Sequence, residues 1–206
     1  MTAFFFADGR FVSMAPPQSY LDIGSKRFSR YVNLTDTEQE RHDWHGDFSY
    51  FGANVYAYIL QCYGDYVDLV SIQFYESYSR AGKAVYHDGM SASDYLIRFV
   101  ETLVVANEET LYVDFSNDPD VGMLGHQNVS LPLQKLIFGL GNGWTGAAGD
   151  DKALYIAPDQ LEAAWTALRK RNLMPRGFMF WTINAEGTNG IYLAHELCRI
   201  LQMTAS

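Results

Sequence analysis

The sequence predicts an α/β fold on a mostly parallel sheet, and three observations carry that reading. Strand-like runs and helical patterns alternate four times along 206 residues. The run over 66–75 is rich in β-branched and aromatic residues with no turn residue inside it, the pattern of a buried parallel strand. Each run ends in proline, glycine or polar residues, where a chain leaves its sheet. With no internal repeat or low-complexity tract, residues 1–206 read as one continuous domain.

The elements follow in order. Residues 10–15 form the first strand, stopped at Pro16-Pro17 because proline has no N–H to give the ladder. Residues 22–47 are polar and mixed in charge, an elaborated loop. A helix is expected over 52–63, then the second strand over 66–75. A second helix spans 91–106, and Thr110-Leu-Tyr-Val-Asp-Phe-Ser116 adds a short extra strand. The third strand, 135–140, runs into the glycine-rich 139–143. In the helix over 158–172, Pro158 sits in the first turn with Asp159 and Glu162, and Arg169, Lys170 and Arg171 crowd the end, as the helix dipole favours. Leu161, Ala164, Trp165 and Leu168 give it one apolar face. The fourth strand spans 176–184. The last helix, 189–203, repeats the apolar pattern through Ile191, Leu193, Ala194, Leu197, Ile200 and Leu201. Four βα units imply right-handed crossovers, with functional residues at the carboxyl ends of the strands.

Composition narrows the partners. Fifteen Lys and Arg against 24 Asp and Glu give a net charge of −9, which argues against nucleic acid and anionic membrane surfaces. A hydrophobic content of 48% is enough for a sizeable core. Cys62 and Cys198 stand alone without a CxxC, so neither a disulfide framework nor a zinc ribbon is expected. No apolar run approaches the roughly 20 residues of a membrane span, and the first residues lack a basic stretch and a signal-peptide core. Aromatics reach 15%, with 14 Tyr and 4 Trp, and amphipathic rings suit flat, hydroxylated ligands.

The strand ends carry the chemistry. They read Ser13-Met14-Ala15-Pro16, Gln73-Phe74-Tyr75-Glu76, Gly139-Leu140-Gly141-Asn142-Gly143-Trp144 and Phe180-Trp181-Thr182-Ile183-Asn184. In this order and spacing they resemble strands five to eight of the TIM barrel of glycoside hydrolase family 18, the chitinases and related enzymes. There the fifth strand commonly ends in small-Ala-Pro, the sixth in Gln-x-Tyr, the seventh in apolar-Gly-Leu and the eighth in Trp-Ser-x-Asn or a close variant. Pro175-Arg-Gly-Phe-Met-Phe-Trp-Thr-Ile-Asn184 is the most specific stretch, and the resemblance extends from Phe11 to Gln202.

One departure matters more than any match. The family's Asp-Gly-x-Asp-x-Asp-x-Glu segment, which supplies the general acid from the fourth strand, occurs nowhere in this sequence, and Asp114-Phe-Ser-Asn-Asp-Pro-Asp120 lacks its spacing and terminal Glu. The resemblance therefore implies a partial (β/α)8 barrel, the carboxyl-terminal half: a truncated gene product, a natural half or a decayed homologue. A full barrel takes about 250 residues. It also implies a ligand of N-acetylglucosamine oligomers or another neutral polysaccharide, no cofactor, and a missing barrel half or a second copy as partner. Members of the family are often secreted, which leaves localisation open.

In that family the substrate's own 2-acetamido group attacks the anomeric carbon, outside the two-carboxylate rule. The resemblance gives Tyr75 the task of positioning that group, where a phenol donates without acting as a strong base; the alternative is a buried strand tyrosine. Gln73 points the same way two residues earlier. Trp181 is the expected floor under the sugar rather than a core tryptophan. Met14 lines the same pocket or fills the barrel, and Trp144 is an outer platform or a loop cap. Glu76 and Glu186 are the carboxylates beside the strand ends, read as subsite lining or loop charges rather than as acids. The cluster His42-Asp43-Trp44-His45-Gly46-Asp47 contains metal-ligating types, but its spacing and polar setting fit a solvated loop, so no metal site is expected. No Gly-x-Ser-x-Gly elbow, phosphate loop or dinucleotide fingerprint occurs. A half barrel would leave two open edges and would uncover the side chains of Phe11, Ile72 and Phe180 or their neighbours.

Overall fold

A computed structural model describes residues 9–30, 54–76, 79–104, 111–145 and 153–203. Its central sheet has four strands, β1 (Ser13–Met14), β2 (Leu69–Gln73), β5 (Leu136–Gly141) and β6 (Gly177–Trp181), all parallel and neighbours in that order. Among the described residues five α-helices accompany it: α1 (Val55–Tyr63), α2 (Arg80–Tyr86), α3 (Ala92–Val104), α4 (Pro158–Lys170) and α5 (Leu193–Gln202). The hairpin β3 (Leu111–Asp114) and β4 (His126–Val129) stands apart as an antiparallel pair.

Period-two alternation decides which side chains meet the helices. On β2, Val70, Ile72 and Phe74 are fully buried. The Phe74 ring meets Phe99 of α3 edge-on at 5.0 Å, and Trp165 of α4 lies 4.4 Å from Phe178 of β6. Phe138, in register with both Ile72 and Phe178, completes this layer. As its spacing predicts, α4 buries Leu161, Ala164, Trp165 and Leu168, with proline at its start and Arg169 and Lys170 in its last turn. The opposite face therefore carries Ser71, Gln73 and Tyr75 from β2, Ile137, Gly139 and Gly141 from β5, and Met179 and Trp181 from β6.

Three of the parallel strands, β1, β2 and β6, fall within their predicted runs but are shorter, and β5 keeps the predicted length shifted by one residue, from 135–140 to 136–141. Residues 10–12 are outside β1, Gly64–Tyr66 is a 3-10 turn before β2, Lys135 closes another turn, and the chain turns again at Ile183–Ala185. Ile72 and Phe180 lie on the helix-covered phase of their strands and Phe11 is 67% exposed, so the neighbours of Ile72 and Phe180 occupy the opposite face instead. The last helix begins at Leu193 because left-handed Gly187 and Asn189 turn the chain before it.

Two elements go beyond the expected set. Helix α2 is short and contains Gly82, so its periodicity is weak, yet the Ser79 hydroxyl caps it by accepting from the Gly82 N–H at 2.9 Å. Strand β4 begins His-Gln-Asn and gains its place by pairing with β3, where Tyr112 stacks on His126 at 5.3 Å. The hairpin docks through Phe115, which packs on Phe28 at 4.6 Å, while the Asp114 N–H donates to Lys26 O at 2.8 Å. Beyond Arg30, the expected 22–47 loop, including the His42–Asp47 cluster, lies outside the described residues, as do the first eight residues and their signal-peptide reading. Among the described residues no helix is long and apolar enough to cross a membrane.

Candidate functional site

Tyr75, Trp144 and Trp181 lie at the carboxyl ends of β2, β5 and β6, beside the bare backbone of β5. Gln73 is in register with Gly139, and Gly141 with Trp181, so all of these share with Tyr75 the face opposite the helix-covered one. A Cβ on Gly139 would stand 2.7 Å from Ile72 O. One on Gly141 would stand 2.9 Å from the Tyr75 Cβ and collide with the Thr145 side chain. Only glycine lets the backbone and the neighbouring side chains approach this closely.

Beside this strip two of the rings pack together. The Tyr75 and Trp144 rings lie 5.9 Å apart and nearly perpendicular, at 81°. The Trp144 indole N–H donates to the main-chain oxygen of Trp181 at 2.5 Å. Trp144 is 38% exposed and Trp181 58%, so both present ring surface to solvent. Burial pushes the Tyr75 phenol above its ordinary pKa, which keeps the hydroxyl protonated and able to donate at neutral pH. The Trp181–Thr182 peptide is cis.

The loops holding the indoles are laced together by one buried amide. Asn142 is fully buried, and its Nδ2 donates to Thr182 O at 2.9 Å and to Glu186 Oε2 at 2.9 Å, while its Oδ1 accepts from the Thr182 N–H at 3.3 Å. The Thr145 hydroxyl returns to Asn142 O at 2.8 Å. Asn189 Nδ2 donates to Gly143 O at 2.9 Å, and Gly143 packs so tightly on Thr188 that a Cβ there would overlap its carbonyl. These two loops therefore act as one unit under Trp144 and Trp181.

The other sequence-predicted residues take different places. Gln73 faces the same side as Tyr75, but its Nε2 donates to Ala15 O at 2.5 Å, tying the end of β2 to the end of β1. Met14 is in register with Val70 and packs against the hydrophobic core, on the face opposite Gln73; the phase of the strand thus removes it from the pocket lining expected of it. Glu186 has both carboxylate oxygens engaged, one by Asn142 and one by the Ala194 N–H at 2.6 Å, near the start of α5. It braces a helix end, where an acceptor satisfies an otherwise open donor.

Glu76 turns away from the rings toward the turn that follows β1. Its Oε2 accepts from the Ser19 N–H at 3.1 Å and its Oε1 is buried without a partner. Burial pushes its carboxyl up to about 7, against the hydrogen bonds from Ser19 that lower it; the nearby Asp22 charge adds to the rise. Asp22 is itself buried and raised by desolvation, with Arg80 at 2.9 Å opposing the shift.

Sequence reasoning did not single out Asn142 or Ser19. In the sequence Asn142 is one letter of a glycine-rich turn, and its role depends on a loop 40 residues further along the chain. Ser19 acts through its backbone N–H, to which residue type is silent.

No family model matches the chain, and no curated protein matches its sequence. Among solved structures, a family GH18 chitinase from Chromobacterium violaceum is similar with a TM-score of 0.55 at 18% identity, over 93% of this chain and 45% of that one. A GH18 chitinase from Pseudoalteromonas aurantia is similar with a TM-score of 0.50 at 14% identity, over 96% of this chain and 48% of that one. The chain spans about half the length of either. At these identities the likeness is one of fold: a parallel sheet with its helices, arranged as in a chitinase barrel.

Proposed function

We propose that this chain supplies the carboxyl-terminal half of a chitinase-like (β/α)8 barrel and binds N-acetylglucosamine oligomers at the mouth formed by Tyr75, Trp144 and Trp181. The observation that carries this reading is the convergence of one protonated phenol and two solvent-facing indoles at the strand ends. Indole faces take the C–H face of a pyranose, and a phenol donates to an acetamido oxygen. Gln73, beside Tyr75, positions the strand end by its bond to Ala15 O.

The chain alone does not hydrolyse. The sequence holds no Asp-Gly-x-Asp-x-Asp-x-Glu segment, Glu186 is fully engaged, and Glu76 is turned from the rings. Hydrolysis with substrate-assisted retention belongs to the barrel completed by a partner carrying the acid. That acid-bearing partner is the remaining barrel half, meeting β1 and β6, which among the described residues each pair on one side only; a second copy would cover the same edges without bringing an acid. The engaged carboxylates equally favour a second reading, a carbohydrate-binding, chitinase-like lectin.

Titration with chitin oligomers and cello-oligomers, followed by tryptophan fluorescence, tests the binding. A response to the acetamido sugars well above that to the glucose polymers is expected, and equal or absent responses sink it. A chromogenic chitobioside separates the two functions: no turnover by this chain alone, and turnover only with the acid-bearing partner if the first reading holds.

A further inference from the structure

A cavity of about 600 Å³ opens between the segments that enter α4 and α5. Tyr155 and Pro158 line it on the α4 side, and Ile191, Tyr192, His195 and Glu196 on the α5 side. None of the three mouth rings lines it. We infer that this groove is a second saccharide-binding site, taking a pyranose ring of a neutral glycan. The inference rests on the proposed function for the choice of sugar, not for the existence of the site.

The groove offers what a hydroxylated ring needs on both its faces. Tyr192 is 64% exposed, yet its ring is seated on the loop: a Cβ on Gly187 would stand 3.2 Å from the ring. A fixed, solvent-facing phenol loses little freedom when a sugar stacks on it. Tyr155 is held from behind, its N–H donating to the Tyr86 hydroxyl at 3.2 Å. Burial, with the nearby charge of Asp159, raises the Tyr155 phenol, which therefore remains a neutral donor.

Charge excludes the other ligand classes. Two helix N-termini would favour an anion, but Asp159 and Glu196 stand in their first turns and Glu186 already accepts from the Ala194 N–H. A cation finds no free carboxylate in Glu196, which Arg199 Nε holds at 3.0 Å and whose carboxyl it keeps below the ordinary range. A wholly apolar ligand would strip water from Glu196 and His195 without replacing their hydrogen bonds. A neutral ring with hydroxyls on its edge and C–H groups on its face meets all three conditions.

Isotope-labelled protein titrated with the N-acetylglucosamine trimer provides the test, read by NMR at the indole N–H of Trp144 and Trp181 and at the amides of Tyr192, His195 and Glu196. Two sets of shifts are expected. Trp181→Ala should abolish the mouth set and leave the groove set, and Tyr192→Ala should do the reverse, its side chain being exposed and dispensable for folding. Tyr192→Phe, which keeps the ring, should retain the groove set. Silent groove amides, or a groove set lost with Trp181→Ala, overturn the inference, as does a groove that responds to inorganic phosphate instead. Silent indoles beside responding groove amides would sink the mouth reading and leave the groove standing.

Discussion

The indole N–H of Trp144 donates to the carbonyl of Trp181, so the two exposed rings at the mouth are joined through one ring edge and one main-chain oxygen. The Trp144 ring is thereby held against the end of β6 before any ligand arrives, which lowers the ordering cost of binding.

Replacing Trp144 separates this tie from its ring surface. Trp144→Phe keeps an apolar ring near Tyr75 and removes the donor, at a cost of about 1 kcal/mol in stability. Trp144→Ala removes both. Denaturant melts and oligosaccharide titrations should rank affinity as wild type, then Phe, then Ala; an Ala variant with unchanged affinity would remove Trp144 from the mouth.

The glycine strip under the rings gives a second expectation. Gly141→Ala drives a methyl into Thr145 and to 2.9 Å from the Tyr75 Cβ. Overpacking of this kind costs about 1–3 kcal/mol. Stability should fall by that amount and Tyr75 should be displaced, so sugar affinity should drop further than in Trp144→Phe. An Ala variant as stable as wild type, with intact binding, would mean that β5 is not packed as tightly as described.

Glu76 makes folding depend on pH. Its carboxyl titrates near 4.5 when exposed and is raised to about 7 in the fold. Between these values the folded chain holds more protons than the unfolded one, so this group makes stability fall as pH rises through that window, by about 3 kcal/mol at most. Asp22, also raised, adds a slope of the same sign, moderated by Arg80. Thermal or urea melts at about pH 5 and about pH 8 should show Glu76→Gln flattening the decline. A variant with the wild-type slope would show that Glu76 is ionised throughout.

The order of the central sheet was legible because each parallel strand is bounded by turn chemistry and its buried phase is apolar: Val70, Ile72 and Phe74 announce β2. So was α4, whose proline, dipole charges and apolar stripe agree. Helix α2 was not, since its seven residues are too few to show a period and its capping serine looks like any loop serine. At the site, Tyr75 and Trp181 could be picked out as aromatic residues at strand ends. The phase of Met14 could not, because a two-residue strand has no alternation to read and only pairing with Val70 fixes it. Nor could the bracing by Asn142 and Glu186, which is a contact between separate loops.

The shortness of β1 also sets the order in which the sheet comes apart. It shares two register pairs with β2, against four between β2 and β5 and five between β5 and β6. That seam is also held by Val12, bonded to Asp68 and Leu69 at its start, and at its end by the main chain and amide of Gln73, on Pro16 O and Ala15 O, and the carboxyl of Glu76 on Ser19. The amides facing this seam should therefore exchange with solvent sooner than those between β5 and β6, and sooner still as Glu76 ionises. Acidity and breathing of the sheet converge on one seam, and Tyr75, between Gln73 and Glu76 in the chain, reports on it from the mouth.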